Sequence, residues 1–70
     1  MALARMDRGE LYWWRGIEGL RILIRCEVLF QEYARVRIVA ATPEEVLRTG
    51  YGVGESWNMA LTNAPIEKAR

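Results

Sequence analysis

The chain has 70 residues, ten lysines or arginines against nine acidic residues, a net charge of +1, no histidine and one cysteine. So short a chain makes one domain with a marginal core, a lone cysteine excludes an internal disulfide, and near-neutrality gives no strong field for nucleic acid or membrane. Without histidine, Ser-His-Asp and Cys-His catalysis is impossible and transition metals have almost no ligands, so the chain is expected to be non-enzymatic, with no metal and no cofactor.

Residues 1–8 are too short and too charged for a secretory leader and are predicted to be a flexible start to a single domain over residues 1–70. No apolar run approaches the ~18 residues of a membrane span, and a reducing, cytoplasmic setting away from membranes is expected. Leu11-Tyr12-Trp13-Trp14, between Gly9 and Gly16, is rich in aromatic strand formers. Asp7 and Glu10 at capping-box spacing, with Gly16 as a stop, offer a helical alternative. The strand is the favoured reading, joined to the next by Gly16-Ile17-Glu18-Gly19.

Residues 20–41 carry the clearest pattern. Ile22, Ile24, Cys26, Val28 and Phe30 alternate with Arg21, Arg25 and Glu27, and Ala34, Val36, Ile38 and Ala40 alternate with Arg35 and Arg37. Two period-2 runs this close predict a hairpin. Parity asks for an odd loop, Gln31-Glu32-Tyr33, which sets Val28 opposite Val36, Cys26 opposite Ile38 and Glu27 opposite Arg37. The competing register would set Arg25 against Arg37, a like-charge pair. Cys26 on the apolar side reads as a packed thiol rather than a reactive one.

Thr42-Pro43-Glu44-Glu45 breaks the run, either as one helical turn through Val46-Leu47 or as the connection to a third strand over residues 46–53. Glycines at 50, 52 and 54 suggest close approach of the next element. Ser56 is a good N-cap, and Trp57, Ala60, Leu61 and Ala64 share one helical face. A strand alternative exists, since Trp57, Met59 and Leu61 alternate. The helix is favoured, ending near Pro65 with residues 66–70 as a frayed turn. The predicted class is α+β, an antiparallel meander of three to four strands with a C-terminal helix packed on one face.

Residues 50–64, read as Gly50-x-Gly52-x-Gly54-x-Ser56-x-x-x-Ala60-x-x-x-Ala64 after two antiparallel strands, resemble the C-terminal half of a double-stranded-RNA-binding domain. That resemblance implies a three-stranded sheet running into a helix whose start lies over phosphates. Trp57 and Asn58, however, stand where that family carries a lysine pair, and Glu55 precedes them. Phosphate affinity is built from neutralised charges, so the resemblance implies the fold more than RNA binding. Gly54-Glu55-Ser56 with Ala60-Leu61 and Asn63-Ala64 also resembles the strand-to-helix junction of HicB-type antitoxin domains, which implies a role in covering a partner protein.

The basic residues are nine arginines against the single Lys68. One sheet face should carry Arg21, Leu23, Arg25, Glu27 and Leu29 from one strand and Arg35, Arg37 and Val39 from the next, with Trp13 and Trp14 nearby. Arginine, aromatic and aliphatic side chains together are the composition of interface cores. The predicted partner-binding residues are therefore Trp13, Trp14, Arg21, Leu23, Arg25, Leu29, Arg35 and Arg37. A homo-oligomer through this face is the first expectation, since small domains gain most from pairing. A different protein partner is the second. The alternative is duplex RNA on the same arginines, with aromatic stacking.

Overall fold

The computed structural model describes residues 2–69. In chain order the elements are β1 (Leu11–Trp14), β2 (Ile22–Leu29), β3 (Tyr33–Ala40), α1 (Pro43–Thr49), β4 (Ser56–Ala60) and β5 (Ile66–Lys68). The strands form one antiparallel sheet in the order β4-β3-β2-β1-β5, and the class is α+β.

This sheet is curled rather than flat. In a flat sheet β4 and β5 would lie four strand spacings apart, about 19 Å, which residues 61–65 could bridge only if fully extended. Instead they turn: Ala64 N–H donates to Leu61 O at 3.3 Å and Asn63 is left-handed at φ 53. Curling gives the sheet a concave side, and Tyr12, Ile22, Ile24, Cys26, Ala34, Val36, Ile38 and Met59 are buried on it with Met6 and Leu61. Burying an aliphatic side chain is worth about 1.5–3 kcal/mol, and this inner row supplies most of what a domain so small can collect.

The hairpin between β2 and β3 meets the parity requirement by a different device from an odd loop. The turn is the tight pair Gln31-Glu32, with Phe30 N–H donating to Tyr33 O at 2.9 Å. It sets Leu29 opposite Ala34 and Val28 opposite Arg35. A bulge at Glu27 then restores even-against-even pairing, so Cys26 faces Val36 and Ile24 faces Ile38. The expected pairings of Val28 with Val36 and Cys26 with Ile38 are therefore replaced, and Val28, expected in the core, is exposed at 39%. A bulge admits one extra residue on one strand and re-aims those beyond it.

Of the two readings open after Thr42 the helical one holds, and two later segments change type. Residues 46–53 form no third strand: Thr42 and Glu45 make a reciprocal capping box, Pro43 occupies the first turn, and Gly50 stops the helix at φ 80. Ser56–Ala60 is β4, not a C-terminal helix. As a strand it turns Trp57 and Met59 toward Val36 and Ala34, with Leu61 buried just beyond. The helical face would have offered one tryptophan, one leucine and two alanines, a smaller apolar load. Residues 66–68, expected as a frayed turn, pair with β1 as β5. Glycine at 50, 52 and 54 does not mark a close approach, since a Cβ at any of them would meet nothing nearer than 4.0 Å. Gly54 instead supplies the turn into β4, with φ 93.

Residues 2–7 hydrogen-bond to the rest of the fold. Ala4 N–H donates to Leu61 O at 2.7 Å, Asn63 N–H to Ala2 O at 2.9 Å, and Asp7 N–H to the Tyr12 hydroxyl at 2.6 Å. Met6 is only 3% exposed.

Candidate functional site

The convex side of the sheet collects most of the predicted face. Arg25 lies opposite Leu11 on β1 and Arg37 on β3, and Arg37 lies opposite Ser56 on β4. Trp13 lies opposite Leu23, and Arg35 opposite both Val28 and Asn58. Arg21 places its guanidinium carbon 4.4 Å from the centre of the Trp13 ring, within cation–π range. Trp13, Arg21, Leu23, Arg25, Arg35 and Arg37 are thus brought together. Trp14 and Leu29 are not: Trp14 turns to the concave side beside Trp57, and Leu29 follows Ala34 to that side at the hairpin end.

The arginines are not equivalent. Arg37 Nε donates to Glu27 Oε2 at 2.8 Å and its Nη1 donates to Gly54 O. That hydrogen bond from Arg37 holds the Glu27 carboxyl below its usual range and raises Arg37. Arg35 donates to the Asn58 amide oxygen at 3.0 Å. Among the described residues, Arg21 and Arg25 form no ion pair. With Arg35, whose one side-chain partner is the neutral Asn58 amide, they are the cations this face leaves without an acidic partner.

At the hairpin end the same side becomes apolar. Phe30 and Tyr33 stack at 4.4 Å with their planes 17° apart, next to the exposed Val28. Sequence alone hides this tip, because the alternating pattern puts Val28 and Phe30 on the apolar side. Only the Glu27 bulge turns Val28 outward.

On the concave side Trp14, Tyr51 and Trp57 open onto a cavity of about 210 Å³, completed by Ile17, Ile22, Ile38 and Thr49. Trp14 meets Trp57 edge to face at 5.7 Å, and Tyr51 lies nearly parallel to Trp57 at 6.1 Å. The sequence alone favours a helix for Trp57 and gives Tyr51 no role.

Cys26 is buried, and loss of solvent, reinforced by Asp7, raises its thiol above the ordinary value. No group of three His, Cys, Asp or Glu able to hold a metal ion occurs among the described residues. Nor is any described helix long and apolar enough to cross a membrane.

Family models, curated proteins and solved structures give no match to this chain.

Proposed function

We propose that the chain is a small non-enzymatic binding module of the cytoplasm that docks an acidic protein surface with its convex face. The observation that carries this reading is the continuity of two uncommitted arginines, Arg21 and Arg25, with Trp13, Leu23 and the stacked Phe30–Tyr33 tip. Stacked aromatics beside arginine are the anchors that dominate binding energy at protein interfaces. Stacking the whole face on a second copy would set arginine against arginine, which favours a different, acidic partner.

Self-association is the second reading, and the apolar Val28-Phe30-Tyr33 tip is what favours it, since that corner could mate with itself without confronting the arginines. The RNA reading rests on the arginines alone, because the helix start it needs at Ser56 is replaced by β4. A photo-crosslinking residue at position 30, introduced in the native host, tests the proposal. Crosslinks to one acidic protein, lost in Arg25→Glu and kept in Arg5→Glu, are expected. Crosslinks chiefly to a second copy support self-association, and crosslinks to nucleic acid overturn both.

A further inference from the structure

We propose that the cavity between Trp14, Tyr51 and Trp57 binds an alkylated ammonium group, the trimethylammonium head found on choline and on methylated lysine. It lies on the concave side of the sheet, apart from the arginine face, and does not depend on the function proposed above.

The rings are held in place before any ligand arrives. Trp57 is fixed by the pairing of β4 with Val36 on β3. Trp14 lies so close to the Gly16 backbone that a Cβ there would fall 2.1 Å from the indole Cζ2. Tyr51 follows the left-handed Gly50, and its N–H donates to Thr49 Oγ1 at 3.2 Å. Preorganised walls avoid the ordering cost that weakens binding to mobile side chains.

The lining then selects the ligand. Aromatic faces are electronegative, and indole is the strongest of them toward a cation. No charged side chain lines the cavity, so no cation already occupies it and no arginine repels one. Of the two hydroxyls in the lining, that of Thr49 already donates to Glu45 O at 2.7 Å, and the other belongs to Tyr51. A plain ammonium would bury three N–H donors against walls whose only acceptors are two hydroxyl oxygens, which is costly. An alkylated ammonium has no such donors, and its methyl groups meet Ile17, Ile22 and Ile38. Close by, Glu55 is pinned by Gly52 N–H at 2.6 Å, which keeps a carboxylate beside the Tyr51 end of the cavity. At about 210 Å³ the space is smaller than the roughly 300 Å³ at which drug-sized pockets begin, and suits a head group.

The test is titration of the full chain with tetramethylammonium chloride at constant ionic strength, following the three indole N–H resonances by NMR. Saturable shifts of Trp14 and Trp57, with Trp13 unmoved, are expected. The neutral analogue 3,3-dimethylbutan-1-ol and unmethylated lysine should bind about tenfold more weakly, the scale of a desolvated cation–π contact. Tyr51→Ala, at an exposed position beyond α1, should weaken binding about fivefold, with the ligand-free spectrum altered only around the adjacent Trp57. Glu55→Gln should weaken the cation and leave the neutral analogue alone. Saturable binding of choline or of trimethyl-lysine supports the site, and the tighter of the two names the source of the head group. Equal binding of the neutral analogue, uniform shifts of all three indoles, or an unaffected Tyr51→Ala would overturn the proposal.

Discussion

Arg25 and Arg37 stand directly opposite each other across β2 and β3. A like-charge pair in this position costs up to about 1 kcal/mol. The register that imposes it places Ile24 against Ile38 and Cys26 against Val36, all buried. Burying Ile24, Val36 or Ile38 is each worth more than the repulsion, so burial decides the pairing. Glu27, displaced by the bulge, still reaches Arg37 and offsets part of the cost.

Arg25→Thr should therefore raise stability by a few tenths of a kcal/mol, removing repulsion and adding a good strand former. Urea denaturation would read this as a higher midpoint at unchanged slope. If Arg25 serves a partner, the same variant binds it more weakly while folding better, a separation that a purely structural arginine would not show.

Stability should fall on the acid side. Glu27 is depressed by its hydrogen bond from Arg37, and Glu45 chiefly by the Thr42 backbone N–H and secondarily by that of Arg21. A carboxyl whose folded pKa is depressed contributes stability above its unfolded value near 4.3, and loses it as pH drops through the folded value. Urea midpoints should be level from about pH 7 to pH 5 and decline below about pH 4. Glu27→Gln should flatten part of that decline, and a midpoint independent of pH down to 3 would contradict the assignment.

Glu45→Ala should cost about 2 kcal/mol, because it strips a capping box and leaves the Arg21 N–H without its acceptor. Glu44→Ala, two-thirds or more exposed at its side chain and paired only with Arg48, should stay within about 0.5 kcal/mol. Thermal denaturation of the two variants distinguishes adjacent glutamates that composition alone treats alike.

Gly16→Ala should destabilise by about 1–3 kcal/mol, since the added methyl collides with the Trp14 ring. Near-ultraviolet circular dichroism should lose part of the coupled Trp14–Trp57 signal at the same time. Gly52→Ala, where a Cβ meets only Val46 at 4.0 Å, is the control and should change neither.

Alternation made the β2–β3 hairpin and its inner row from Ile22 to Ile38 legible, though not its two-residue turn or the Glu27 bulge, and residues 11–14 were legible as a strand from their aromatic composition. The elements after Thr42 were legible only in part. Thr42-x-x-Glu45 is itself a capping box with Pro43 inside it, a stronger start signal than Ser56 alone. At Ser56 two periods coexist in one segment, and the choice between them depends on an open edge at β3 waiting for a partner. That edge is a tertiary fact, invisible to local pattern. The convex arginine face followed from strand parity and was found almost whole. The aromatic cavity was not, because Trp14, Tyr51 and Trp57 come from three separate segments that only the curl of the sheet draws together.

The capping glutamate has a dynamic corollary. Leu47 is 84% exposed and Glu45 is the one residue α1 buries, so a hydrogen-bonded carboxylate, rather than an apolar stripe, fastens the helix to the start of β2. Such an attachment can let go while the sheet stays whole, which places α1 at the low end of the opening free energies within the fold. Amides of residues 46–50 should exchange with solvent well ahead of those in β2 and β3. Each opening would carry Tyr51, just beyond the helix, away from Trp57, so the rate at which this latch releases sets how often one wall of the aromatic cavity swings aside.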